Sequence, residues 1–201
     1  MTSHLATAPR APAAGFTDPV RDAQEVFRAV LQAQSHPGRR VRVPSGPAAP
    51  APLGRAMAGV LLALADLDTP LWLQRGEEAA LAYLRFHTGA PVAADPAAAA
   101  FAIVTEASTM PPLDSFRAGD ADYPEVAATV LIAVAGFGQG QQVSLAGPGI
   151  ERRQGFAADG LGAEFWAAWR ANRGRFPLGV DALLFTDDEV VALPRSVGPE
   201  G

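Results

Sequence analysis

The sequence predicts a single α/β domain in which a mixed β-sheet is flanked by helices. Its 201 residues, 49% of them hydrophobic, suffice for one substantial core. Residues 126–150 contain a long apolar run, a Gly-rich break at 136–140 and a second, alternating run at 142–146. We interpret these runs as a β-hairpin at the centre of the sheet, because the first is typical of a strand buried on both faces. Helical and strand patterns are interspersed along the chain, which favours the α/β class.

Four helices are predicted from apolar residues at helical spacing and from capping residues. Asp18 is a typical N-cap before Pro19, and Ser35 to Gly38 stop the first helix after Gln34. The other predicted helices span 53–65, 77–86 and 160–172, and a further helical turn is expected after Asp95.

Short strands are predicted at 39–43, 71–73, 101–104, 180–185 and 190–193, and the last two form a second hairpin. The first of these strands would have one basic face. We expect Pro194 and Arg195 to end the ordered chain. Residues 1–15, rich in Ala and Pro, are predicted to be a disordered tail, and residues 16–197 the single domain.

The charge distribution argues against nucleic acid and membrane partners. The net charge is −5, and no block of basic residues occurs. The apolar runs are shorter than a membrane span, and the N-terminus lacks the pattern of a secretion signal. We therefore expect a protein of the cytoplasm with no nucleic acid and no membrane partner.

Two residue types are absent, and each absence excludes a chemistry. The chain has no cysteine, which excludes disulfides, a thiol nucleophile and any cysteine-ligated metal or iron–sulfur site. All sixteen basic residues are arginine. Without lysine the chain can form neither a pyridoxal phosphate Schiff base nor the lysine contact of a P-loop.

His87 is the strongest single candidate for a catalytic residue. It lies at a predicted helix end between Arg85 and Thr88, where a neutral imidazole could act as a base while Arg85 binds an anion. The structural alternative, in which His87 caps the preceding carbonyls, is favoured because no second acid or base lies nearby in sequence. With three histidines in the chain and no metal-binding spacing, no metal site is predicted.

Two Gly-rich segments could approach a ligand. The segment 136–140 resembles a phosphate loop, but a strand rather than a helix follows it, so a flexible hairpin turn is favoured. Gly147 and Gly149 flank a proline and could present backbone N–H groups to a ligand or partner, although a rigid turn is the favoured interpretation.

The remaining polar and aromatic candidates have structural explanations. Asp66 and Asp68 fit turn chemistry, and Asp181 follows a turn at a strand start. An aromatic helix face made by Phe165, Trp166 and Trp169 fits a core and an interface equally well. No catalytic, cofactor-binding or metal-binding residues are assigned.

The chain resembles the PhnH family of the bacterial carbon–phosphorus lyase system. Eight segments in the right order carry the resemblance: 18–28, 35–38, 61–73, 84–91, 124–130, 145–150, 176–181 and 193–196. Each segment is weak alone, but eight in the right order are specific, and the match runs from Asp18 to Ser196, nearly the whole predicted domain. The resemblance implies a three-layer fold similar to that of pyridoxal-phosphate-dependent transferases, without the cofactor.

The resemblance also implies a function. Members of the family work in phosphonate utilisation, in a core complex with the PhnG, PhnI and PhnJ subunits, and form a homodimer when alone. With the ATP-binding PhnL, this machinery couples a phosphonate to the ribose of ATP, and PhnJ then breaks the C–P bond. No catalytic residue of the family can be transferred to this chain, so the resemblance implies a non-catalytic subunit.

We expect such a subunit to have large apolar interfaces, formed by the aromatic helix face, the hairpin loops or an unpaired sheet edge. Arg85, His87, Thr88, Gly147, Gly149 and Arg195 are predicted to face an anion or a partner. One alternative is a nucleotide- or phosphonate-binding enzyme subunit with its own site near His87 and the turn at 147–149. Another is a homodimeric binding protein that has lost its complex.

Overall fold

The computed structural model describes residues 12–200. Within that range the elements in chain order are α1 (Pro19–Ser35), β1 (Val41–Arg42), α2 (Arg55–Leu64), β2 (Leu71–Leu73), α3 (Glu78–Thr88), β3 (Phe101–Val104), β4 (Thr129–Ala133), β5 (Val143–Ala146), β6 (Gln154–Phe156), α4 (Ala163–Arg173), β7 (Asp181–Phe185), β8 (Glu189–Leu193) and β9 (Gly198–Pro199). A 3₁₀ turn at Pro96–Ala98 is the predicted helical turn after Asp95.

The central sheet has six strands in the order β1-β8-β7-β4-β3-β2. Strands β2, β3, β4 and β7 run parallel, whereas β8 is antiparallel to β7 and β1 is antiparallel to β8. The structure therefore confirms the predicted single α/β domain with a mixed sheet. It also confirms the predicted second hairpin, which is formed by β7 and β8.

The central sheet separates two hydrophobic cores, because successive side chains of a strand point to opposite faces. On one face Ile103, Leu131 and Leu183 pack with α1, α2 and α3. On the other face Val130 and Ile132, with their neighbours, pack with α4 and the second sheet. The molecule thus has three layers.

The second sheet has three strands in the order β6-β5-β9, all antiparallel to their neighbours. The predicted central hairpin of 126–150 is therefore wrong, because β4 and β5 lie in different sheets. Strand β4 has β3 on one side and β7 on the other, so it has no free edge for β5. The chain instead turns away after Ala133, and Phe137 forms a bridge with Ala158.

The residues after Arg195 are ordered, contrary to the prediction that the ordered chain ends there. Strand β9 pairs with β5, placing Pro199 opposite Leu145. Just before it, the carbonyl oxygen of Val197 accepts a hydrogen bond from the indole Nε1 of Trp169 at 2.8 Å. These contacts fix the C-terminal segment to the second core.

The aromatic face of α4 belongs to the core and not to the surface. Trp166 and Trp169 are fully buried, and Phe165 is 8% exposed. The ring of Phe165 stacks on that of Trp169 and meets that of Trp166 edge-on. The residue pattern fits a core and an interface equally well, and the structure places this face in the core, so it is not an exposed interface of the chain.

The edges of the central sheet are short. Strand β1 has two residues, and β2 has three. The outer side of β2 is already used in part, because Leu71 donates to the carbonyl oxygen of Pro91 and accepts from the N–H of Ala93, both at 2.8 Å.

Candidate functional site

The end of α3 is built by Thr88 and Gly89. The Thr88 hydroxyl donates to the carbonyl oxygen of Leu84 at 2.8 Å and accepts from the N–H of Ala90 at 3.0 Å. Gly89 has a φ of +71°, the left-handed conformation that commonly ends a helix. Thr88 therefore uses both hydrogen-bonding functions to end the helix.

His87 binds the N-terminal segment across the surface of α3. Its Nε2 lies 2.9 Å from the carbonyl oxygen of Ala13. Because a carbonyl only accepts, Nε2 carries the hydrogen. A Cβ at Gly15 would lie 2.9 Å from Nδ1, so the segment covers that side of the ring as well. His87 thus neither caps the preceding carbonyls nor contacts a carboxylate among residues 12–200.

Tyr83 lies one helical turn before His87, and the two rings are 4.5 Å apart. The Tyr83 side chain is 1% exposed, and burial raises the pKa of its hydroxyl, so the group stays neutral. That hydroxyl lies 3.4 Å from the carbonyl oxygen of Ala14. The pair Tyr83 and His87 therefore forms a docking place for residues 13–15. Arg85, in the same turn, is exposed.

Gly147 and Gly149 are needed for backbone packing. Gly147 has a φ of +145°, and a Cβ there would lie 2.8 Å from the carbonyl oxygen of Ser196. Gly149 has a φ of +83°, and a Cβ there would lie 2.7 Å from the carbonyl oxygen of Ser35. This turn is thus held between the end of α1 and the segment before β9. No hydrogen bond joins it to His87 in the described structure.

Arg195 is engaged in a largely buried ion pair with Asp181. Its Nη2 lies 2.6 Å from Oδ2 of Asp181, and its Nε lies 3.2 Å from both carboxylate oxygens. Its Nη1 donates to the carbonyl oxygens of Pro124 and Pro177. The guanidinium therefore holds the start of β7 against the end of β8. Of the two arginines among the predicted site residues, Arg85 is the one that faces solvent.

Sequence reasoning did not find Asn172, the one polar residue among those described that is buried in the core. Its amide donates to the carbonyl oxygen of Val180 and accepts from the N–H of the same residue, both at 2.9 Å. This pair of bonds satisfies the backbone where the chain enters β7. Nothing in the local pattern of α4 distinguishes such a residue from an exposed asparagine.

The described residues contain no group of three or more His, Asp and Glu side chains that could hold a metal ion. Across the same residues, no helix combines the length and the apolar character needed to cross a membrane.

The fold and these surfaces define a single-domain α/β protein whose predicted site residues serve mainly to join segments of the chain. A family model described as bacterial phosphonate metabolism protein (PhnH) matches residues 14–200. The chain therefore belongs to the PhnH family of bacterial phosphonate metabolism.

Two curated proteins show the same relationship. The chain is 37% identical over 183 residues to the alpha-D-ribose 1-methylphosphonate 5-triphosphate synthase subunit PhnH of Rhizobium meliloti (strain 1021), covering 90% of this chain and 92% of that protein. It is 32% identical over 177 residues to the putative C-P lyase subunit protein HtxG of Stutzerimonas stutzeri, covering 86% of this chain and 83% of that protein. Both relatives are named as subunits.

Proposed function

We propose that this chain is a non-catalytic subunit of a carbon–phosphorus lyase core complex in the cytoplasm. In this proposal it assembles with PhnG, PhnI and PhnJ, forms a homodimer when alone, and supports the transfer of a phosphonate to the ribose of ATP and the later C–P cleavage. The relative from Rhizobium meliloti supports this role, since it is named as a subunit of the synthase of a ribose phosphonate triphosphate.

The outward face of α1 is the observation that carries the proposal. Val20, Phe27 and Leu31 are 71%, 52% and 56% exposed. Their spacing of seven and four residues places them on one stripe of the helix. The opposite face of α1 is fully used, because it packs on α2 and β8. A stripe of large apolar side chains in contact with water is typical of a surface that a partner covers.

Co-expression with PhnG, PhnI and PhnJ tests the proposal. A tagged copy of the chain is captured, and the eluate is analysed by size exclusion with mass detection. We expect the three other subunits to co-elute in a fixed ratio. If the chain emerges alone as a dimer, the proposed role is wrong.

A matched pair of variants tests the role of the α1 stripe. The double variant Phe27→Ser and Leu31→Ser is expected to lose the other subunits, because it removes the apolar area that a partner would bury. Tyr123→Ser is the control, since it removes a side chain that is 60% exposed and lies outside α1. Equal capture of the subunits by both variants would contradict the assignment of this surface.

A further inference from the structure

A basic cleft lies where the turn after α1 meets the hairpin of β5 and β6 and the Gly-rich segment 136–140. We call it the arginine cleft. It consists of two adjoining cavities of about 430 and 410 Å³ that share Arg39 and Gln154 in their walls. Arg40 lines the first cavity, and Arg152 and Arg153 line the second.

The charge in this cleft is opposite in sign to that of the whole chain. The two cavities are lined by four arginines and one carboxylate, Glu151, whereas the chain carries −5. Arg153 is paired with Glu200 at 2.7 Å. Arg39, Arg40 and Arg152 have no carboxylate within ion-pair distance among residues 12–200. Concentrated, uncompensated positive charge in a concave surface raises the local concentration of anions.

Arg40 is held in place by the Gly-rich segment. The centre of its guanidinium lies 5.6 Å from the centroid of the Phe137 ring, within cation–π distance. Gly138 has a φ of +94°, and a Cβ there would lie 2.6 Å from Nη2 of Arg40, so a side chain at this position would displace the guanidinium. Segment 136–140 resembles a phosphate loop in sequence, and in the structure it lies against a positive charge. That charge comes from Arg40 and not from a helix N-terminus.

The turn after α1 is fixed against β6. Gly38 has a φ of +77°, and a Cβ there would lie 2.9 Å from Cγ of Gln154 and from Cδ1 of Leu145. The N–H of Gly38 also donates to the carbonyl oxygen of Ala192 in β8, at 3.1 Å. These contacts fix the backbone immediately before Arg39 and Arg40.

We propose that the arginine cleft binds a small anion that carries a polyphosphate group. Guanidinium groups bind phosphate oxygens through paired hydrogen bonds. The three arginines without an ion-pair partner carry more positive charge than a single carboxylate or monophosphate would neutralise. The site goes beyond the proposed subunit role, because it gives this chain a ligand of its own. A free inorganic triphosphate and the triphosphate of a nucleoside share the chemistry that the cleft recognises.

Isothermal titration of the isolated full-length chain at low ionic strength tests the site, with inorganic tripolyphosphate, ATP and AMP as probes. We expect saturable binding of the first two at one site, and AMP at least tenfold weaker. Equal affinities for tripolyphosphate and ATP would support a site for the phosphates alone, and tighter binding of ATP would support a site for a nucleoside triphosphate. Since no other subunit is present, failure of the complex to assemble does not affect this result.

Three variants locate the binding. Arg39→Ala combined with Arg40→Ala is expected to weaken tripolyphosphate binding at least tenfold, which corresponds to about 1.4 kcal/mol. Arg40→Lys keeps the charge but loses the planar group over Phe137, and is expected to weaken binding by roughly threefold. Arg170→Ala removes an exposed arginine of α4 outside the cleft and is expected to bind within twofold of the original chain.

Two results would overturn the site. One is titration of tripolyphosphate without saturation. The other is an equal loss of affinity in Arg170→Ala and in the double variant, which would show unspecific attraction to any arginine. An unchanged urea midpoint for the double variant, expected because both side chains are exposed, separates a lost site from a lost fold.

Discussion

Replacement of Arg195 by alanine is expected to destabilise the fold by removing its ion pair with Asp181. The Arg195 side chain is 13% exposed and that of Asp181 is 23% exposed. The substitution removes the contacts of Nε and Nη2 with the carboxylate and leaves the carbonyl oxygens of Pro124 and Pro177 without this donor. The bond from the backbone N–H of Arg195 to Oδ1, 2.7 Å long, can persist in the variant.

The expected size of the effect lies between two limits. An exposed ion pair contributes about 0–1 kcal/mol, and removing one partner of a fully buried pair costs about 3–5 kcal/mol. Because both side chains are mostly buried and the pairing is bidentate, we expect Arg195→Ala to cost about 2–4 kcal/mol. For a chain of this length each kcal/mol lowers Tm by roughly 2–4 °C, so the shift should be about 4–16 °C.

Urea unfolding followed by the fluorescence of the three tryptophans measures this loss. A double-mutant cycle with Asp181→Ala isolates the ion pair, and we expect a coupling free energy of about 1–3 kcal/mol. Arg170→Ala is the control and should change the free energy of unfolding by less than about 0.5 kcal/mol. A loss below about 0.5 kcal/mol for Arg195→Ala, or strict additivity in the cycle, would refute the reasoning.

Three further substitutions have defined outcomes. Asn172→Leu should cost about 2–4 kcal/mol in urea unfolding, because the N–H and carbonyl of Val180 lose their buried partners. Gly149→Ala should lower Tm and cost about 1–3 kcal/mol, because its φ is +83° and the new Cβ would meet the carbonyl oxygen of Ser35. Hydrogen bonds from the Ser45 hydroxyl and from Nε of Arg21 hold the pKa of Glu25 below its ordinary value. The stabilisation from ionised Glu25 is therefore fully present above its ordinary pKa and is lost as the pH falls through the lower folded pKa, so Glu25→Gln should flatten the acid limb of stability.

Matched substitutions control these results. Gly155→Ala places a Cβ where no atom lies within 4 Å, so a Tm loss equal to that of Gly149→Ala would contradict the steric cause. If Asn172→Leu unfolds at the same urea concentration as the original chain, the two hydrogen bonds between the Asn172 side chain and Val180 do not stabilise the start of β7.

Local patterns predicted most elements but not their neighbours in space. Strand β3 has the predicted bounds, and β7 and β8 form the predicted hairpin, because apolar runs bounded by turn residues identify buried strands. The pairing of β4 with β5 failed, since closeness in sequence does not reveal that β3 and β7 already occupy both edges of β4.

The candidate sites depend on contacts that sequence spacing cannot show. The chain position of His87 at the end of α3 was correct, but its partner Ala13 lies 74 residues away. Arg195 was expected to face an anion or a partner because it lies in a turn at the end of a strand. Its ion pair with Asp181 forms only once β7 and β8 align. The position of Arg40 over Phe137 likewise arises from tertiary packing.

The short edges of the central sheet restrict how any other protein can recognise this one. Adding a strand to a sheet requires a long run of free backbone groups, and β1 and β2 present two and three residues. We therefore expect a partner to recognise side chains on helices and loops. Recognition through side chains can be altered by single substitutions that leave the backbone intact, so this architecture allows the choice of partner to diverge between species while the fold is retained.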